Sequence, residues 1–271
     1  MSNQRVRPFL KWAGGKYRLL DKLIPHLEGK KLIEPFVGSA AVSLNIPFDR
    51  YLLGDINPDL INLYKILKKE RGKFIAYAKT FFIPQNNHQA VYLDYRYQFN
   101  NGLSGRERAA TFLYLNRHGF NGLCRYNQSG GFNVPFGRYK KPYFPEKEMR
   151  MFIQNFKTAK FVCEDFASLM NRARRGDVVY CDPPYVPLSP TASFTSYAAQ
   201  GFSYDQQVEL AYRAEHLSDR GVKVVISNHD TPITRDIYQD AKIESFPVRR
   251  FISCDGANRG KAKELLAIYG V

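Results

Sequence analysis

Five short apolar runs in this chain each stop on polar or acidic residues: KKLIEPFVG (30–38), RYLLGDIN (50–57), AKFVCEDF (159–166), DVVYCDPP (177–184) and VKVVISNHD (222–230). Runs of this length are too short for independent helices and read as strands buried on both faces. Longer stretches with apolar residues at helical spacing lie between them, as at Leu60, Ile61, Leu63, Tyr64, Ile66 and Leu67. That alternation predicts an α/β layout. In such sheets ligands bind outside the carboxyl ends of the strands, where these runs place their polar residues.

Between roughly Pro58 and Pro145 the alternation stops. From Gly102 to Pro145 there are seven basic residues (Arg106, Arg108, Arg117, Arg125, Arg138, Lys140 and Lys141) against one acid, Glu107. Phe112, Tyr114, Phe120, Tyr126, Phe132, Phe136, Tyr139, Tyr143 and Phe144 fall in the same stretch, with glycines and asparagines that favour turns and hairpin-like excursions. This region reads as an insertion into the α/β core. It carries much of the positive charge in a chain of formal net charge +15, a balance that points to a polyanionic partner. The four cysteines, Cys124, Cys163, Cys181 and Cys254, form no Cys-x-x-Cys pair and have no histidine at metal-like spacing. With no apolar leader and no run long enough to span a bilayer, the expectation is a soluble cytoplasmic protein with reduced thiols and no metal.

Three stretches carry chemistry. IEPFVGSAAVSLN (33–45) reads as a strand, a glycine-bearing turn and the start of a helix. Asp55, ending the next strand, is placed to accept hydrogen bonds from ribose hydroxyls. A packing turn alone would use the same glycine. FLKWAGGKYRLL (9–20) puts paired glycines before a lysine, but the phosphate-loop pattern is absent and Tyr17 follows the lysine, so Lys16 is better suited to a ligand carboxylate or to plain solvation. Asp182-Pro183-Pro184-Tyr185 presents a carboxylate, stiff carbonyls and an aromatic ring. Such a set could cap a turn, or it could grip a planar group bearing an exocyclic amine.

These motifs, in this order and with this insertion, resemble the DNA adenine-N6 methyltransferases, and more closely the Dam-type enzymes that methylate adenine in GATC. The resemblance runs through FLKWAGGK, EPFVG, GDIN, FLYLNRHGFNGLCRYN, FNVPFGRYKKPYFP, YCDPPY and ISNHDT. It implies a class I fold dependent on S-adenosylmethionine (SAM): a Rossmann-like, seven-stranded mixed sheet with an inserted, mostly helical DNA-recognition domain containing a β-hairpin. The implied division is a catalytic domain of residues 1–57 and 145–271 and a recognition domain of 58–144. The implied cofactor residues are Trp12, Lys16, Phe36, Gly38, Asp55, Asp165, Phe166 and Asp182. Asp182, Pro183, Pro184 and Tyr185 are the implied catalytic residues, acting on an adenine flipped from double-stranded DNA. The implied DNA contacts are Lys11, Arg117, Phe120, Asn121, Leu123, Arg125, Asn133, Pro135, Arg138 and Tyr139, with residues 118–140 entering the duplex and Arg125 reading a guanine. No protein partner is implied, so a monomer is expected.

Two departures stand out. Ala40 occupies a position where the family often has glycine, and Phe120 one where close relatives carry tyrosine. Two other classes stay open on the residues alone. A protein-glutamine or RNA methyltransferase more often carries asparagine in place of Asp182 and needs no basic, aromatic insertion. A non-catalytic DNA-binding module would be expected to have lost Asp182 or Tyr185.

Overall fold

A computed structural model of the chain describes residues 5–185, 202–248 and 262–270. Its seven-stranded sheet has the order β3-β2-β1-β4-β5-β7-β6. The strands are β1 (Lys31–Glu34), β2 (Arg50–Asp55), β3 (Ala159–Cys163), β4 (Val178–Cys181), β5 (Lys223–His229), β6 (Lys242–Val248) and β7 (Ala262–Tyr269). All five apolar runs therefore form strands. β1 pairs in parallel with β2 and β4, and β4 in parallel with β5, whereas β7 runs antiparallel to both β5 and β6. The chain thus has a mixed, Rossmann-like seven-stranded sheet, the fold that the resemblance implies. Cys254 and the Val186-Pro187 end of the Asp-Pro-Pro-Tyr run lie outside the described residues. Among the described residues, no helix is long and apolar enough to cross a membrane.

The chain forms two compact units. One comprises Leu23–Phe36, Phe48–Gly54 and Glu164–Val271. Its core is the sheet interior: Leu32, Ile33, Val178, Val179, Val224, Val225, Ile226, Leu265 and Leu266 are all buried. These are the apolar runs that gave no alternation, because helices such as α8 (Tyr204–Asp219) cover the sheet. A capping box between Ser203 and Gln206 starts that helix.

The other unit comprises Met1–Lys22, Val37–Pro47 and Asp55–Cys163, and so contains the whole of 58–144. Its main helices are α2 (Pro58–Glu70), α3 (Gly72–Lys79), α4 (Gln89–Asn100), α5 (Gly105–His118) and α6 (Glu146–Asn155). Asn57 starts α2 by accepting from the backbone N–H groups of Asp59 and Leu60, with Pro58 in the first turn. Many of the aromatic residues that mark the insertion build its core. Phe99, Phe112 and Phe132 pack together, as do Tyr92, Tyr95 and Tyr114, and Phe112, Tyr114 and Phe132 are fully buried.

The hairpin of residues 118–140 is an antiparallel excursion with only two isolated bridges, Gly119 to Phe136 and Tyr126 to Phe132. Side chains from α4 replace the missing ladder. Asn100 both accepts from Phe132 N and donates to Phe132 O, and Tyr92 and Arg96 donate to Val134 O. At the turn, Asn121 and Gly122 have φ of 53° and 63°. A Cβ on Gly122 would lie 2.2 Å from the Lys11 side chain, so glycine is required there for space as well as conformation.

One local expectation is corrected. The segment after β1 does not begin a regular helix but forms a chain of turns across residues 35–47. Gly38 and Ala40 have φ of 45° and 60°, which a right-handed helix cannot contain. Ala40 holds its left-handed conformation without glycine's freedom, at a cost of about 1–2 kcal/mol. Ala40→Gly is therefore expected to raise stability by about 1 kcal/mol, after the entropy cost of the added glycine, in equilibrium urea unfolding. No change, or a loss, would show that the loop tolerates the strain in another way.

Candidate active site and nucleic-acid interface

In the sheet-bearing unit, Asp182 follows β4 directly, and its half-buried carboxylate accepts a 3.0 Å hydrogen bond from Ser227 Oγ on β5. Ser227 Oγ lies 3.0 Å from the Tyr180 hydroxyl, so a buried hydroxyl pair orients the acid from beneath. The Tyr185 hydroxyl donates to Glu264 Oε2 at 3.2 Å, and its ring meets the His229 ring edge-on with centroids 4.5 Å apart. Burial and the charges of Asp182 and Glu264 hold the Tyr185 phenol far above its ordinary range, so it stays a neutral ring.

Pro183 is buried, and the following carbonyl, that of Pro184, accepts from Gln207 Nε2 on α8 at 2.9 Å. Gln207 Oε1 is in turn held by Asn228 and Tyr238. The proline ledge is thus stiff through its own φ constraint and through a buried amide network. The aromatic residues expected near the cofactor also assemble within this unit. Phe36 and Phe166 stack with centroids 5.7 Å apart, and Phe202 closes on both. Asp165 caps α7 (Phe166–Met170) by accepting from Ser168 N and Oγ, and the Ser168 bonds draw its carboxyl below the usual range.

In the other unit, Asp55 ends β2 half-exposed. One oxygen accepts from Gly38 N at 3.1 Å and the other from Asn57 N at 3.0 Å. Burial raises its pKa, and those backbone donors pull against the rise. The Ile56 N–H also bonds this carboxylate, and of its roughly four acceptor sites at least one is left for a ligand hydroxyl. Gly38 lies against the Trp12 indole: an added Cβ would sit 2.8 Å from Nε1. Lys16 is buried and donates to Gly14 O at 2.7 Å, so its ammonium sits in its own glycine loop. Within this unit, a carboxylate with acceptor capacity to spare and a side-chain-free cradle beside an indole fit the nucleoside part of a cofactor.

The residues expected at DNA fall into two groups. Lys11, Asn121 and Tyr139, distant in sequence, come together: Lys11 Nζ lies 3.9 Å over the Tyr139 ring, whose hydroxyl accepts from Asn121 N. Phe120 is 49% exposed, so it is no core residue. Arg125 is exposed, with Nε and Nη2 donating to the side chain and carbonyl of Asn133. Leu123 is half-buried and Pro135 and Arg138 are exposed. Arg117 differs: it is buried at 8% exposure, with its guanidinium donating to Tyr143 O and Phe9 O. It braces the unit's interior in this conformation and does not present its charge to a phosphate.

Sequence reasoning did not single out Ser227, Gln207, Glu264 or Phe202. Ser227 was available inside ISNHDT, whereas Gln207 and Glu264 sit in ordinary helix and strand patterns with no local mark.

A family model described as "D12 class N6 adenine-specific DNA methyltransferase" matches residues 12–251. The chain is 53% identical over 268 residues to the DNA adenine methylase of Vibrio cholerae, covering 98% of this chain and 97% of that protein. It is 53% identical over 267 residues to the DNA adenine methylase of Escherichia coli K12, covering 98% and 96%. The DNA adenine methylase of Serratia marcescens is 52% identical over 268 residues, covering 98% of this chain and 99% of that protein.

Proposed function

The chain belongs to the D12 class of N6 adenine-specific DNA methyltransferases, and on that premise we propose that it methylates the N6 amine of an adenine flipped from GATC in double-stranded DNA, with SAM as donor. The observation that carries this reading is the setting of Asp182 by Ser227 and of the Tyr185 ring by Glu264 at the end of β4.

Asp182 and the Pro183 carbonyl accept the two amine hydrogens, and the Tyr185 ring lies on the base. Accepting both hydrogens draws the amine lone pair out of conjugation and stabilises positive charge growing on N6. The network behind Pro184 and Asp182 fixes these acceptors before the base arrives, so little reorganisation remains at the reacting step. When bound, SAM would supply an electrophilic methyl group to N6, and Asp182 or solvent would take the proton that the methylated amine gives up. Asp55, Gly38, Trp12 and Lys16 hold the nucleoside and amino-acid parts of the donor, with Phe36, Asp165 and Phe166 around its adenine.

Residues 58–144 serve as the recognition domain, and 1–57 with 145–271 as the catalytic one. Arg125 reads a guanine bidentately, Leu123 and Pro135 meet a thymine methyl, and Phe120 and Asn121 fill the space the flipped base leaves. Lys11 and Tyr139 contact the outer guanine, with Asn133 and Arg138 alongside. The protein acts as a monomer in the cytoplasm.

Transfer from labelled SAM to three duplexes tests this: one with GATC, one with GATC methylated on both strands, and one with permuted sites. Label should enter the first alone. Equal labelling of permuted sites would sink the GATC assignment, and no labelling of any DNA would sink the proposed reaction.

A further inference from the structure

Asn57 joins three parts of one unit. Its N–H donates to Asp55, its side-chain oxygen caps α2, and its Nδ2 donates to Cys124 Sγ at 3.5 Å. Two residues on, the Asp59 carboxylate is 4% exposed. It receives Arg108 from α5, at 2.5 Å from Nε and 3.2 Å from Nη2, and the Tyr126 hydroxyl at 2.7 Å. Arg108 Nη1 is spent on Phe99 O and Leu103 O.

Cys124 and Tyr126 both face α2, and Arg125 between them is exposed. In an extended segment neighbouring side chains alternate sides, so a one-residue slip would turn Tyr126 outward and Arg125 inward. The two isolated bridges, the backbone bond from Asn133 N to Arg125 O and the α4 side chains on Phe132 and Val134 also restrain the loop, but none of them ties Cys124 or Tyr126 to α2. Apolar side chains of similar volume could hold α2 to α5 as well as the whole ion pair does, although removing one partner alone is costly. A buried carboxylate that accepts from one particular hydroxyl does something a phenylalanine contact cannot, which is to select which loop residue sits there.

We propose that the Tyr126–Asp59 and Cys124–Asn57 contacts are a register lock that keeps Arg125 on the outward face, making Tyr126 a specificity-determining positioning residue. Its effect on specificity rests on the reading of Arg125 given above.

Tyr126→Phe removes one hydroxyl and keeps the ring. Discrimination between GATC and duplexes altered at the base pair read by Arg125 should fall about tenfold, the scale of one lost hydrogen bond to a charged group. In a double-mutant cycle, Tyr126→Phe should add little to Arg125→Ala, because the first acts through the second. Burial pushes the Cys124 thiol up to about 12, so it reacts slowly. Peptide-resolved iodoacetamide labelling of Cys124, referenced to buried Cys181, should quicken in Tyr126→Phe. Unchanged discrimination, or fully additive losses, would overturn the proposal. If Arg125→Ala instead weakens transfer equally on every sequence, base reading by Arg125 is what fails. Labelling then decides the lock alone: faster labelling upholds it and unchanged labelling overturns it.

Discussion

Replacing Asp182 with alanine is expected to lower methyl transfer by about a thousandfold while duplex affinity stays within a few-fold. The carboxylate does its work on the amine as charge develops, and losing a preorganised partner of that kind costs on the order of 10²–10³ in turnover. Asp182 sits half-buried at a strand end with Ser227 on one oxygen, so its removal should leave Ser227 and Tyr180 bonded to each other and the strand intact. Single-turnover transfer from labelled donor, with binding measured separately on the same duplex, gives the answer. A variant that keeps more than a tenth of the rate would assign catalysis to the ledge and the ring and leave the acid a mere turn cap. A variant that loses DNA binding in proportion would make Asp182 a binding residue.

The second large effect is on stability. Asp59→Ala is expected to destabilise the protein by about 3 kcal/mol in urea unfolding, because it leaves Arg108 with no counter-charge and Tyr126 with no acceptor. Tyr126→Phe should cost much less, since the ion pair survives it. That ordering separates the two roles of the cluster: the pair holds α2 to α5, and the hydroxyl holds the recognition loop. If Asp59→Ala cost under 1 kcal/mol, the pair's desolvation would have cancelled its attraction. Arg108 would then be adequately served by the Phe99 and Leu103 carbonyls.

How far residues spoke for themselves varies along the chain. Each apolar run became a strand because an uninterrupted apolar stretch of that length is stable only when covered on both faces. Asp182 and Tyr185 stood out as an acid and a ring on a proline turn, and the structure sets Ser227 and Glu264 against them. The count of basic residues overstated the charge offered to DNA, because Arg108 and Arg117 are consumed internally. The wealth of aromatics, read alongside that charge, built much of a core: Phe112, Tyr114 and Phe132 are buried, and Phe120 and Tyr143 stay exposed. The helix expected after Gly38 failed at Ala40, whose left-handed backbone has no signature in an alanine.

The sequence by itself determined five of the seven strands, the order of the motifs and the family, because these depend on local residue pattern and order. Only the tertiary structure decided which charges are free, which aromatics are core, and that Ser227, Gln207 and Glu264 stand behind the Asp-Pro-Pro-Tyr run. Those facts depend on hydrogen bonds between residues more than 20 positions apart, and strand pairing and helix packing, not neighbourhood along the chain, bring such residues together.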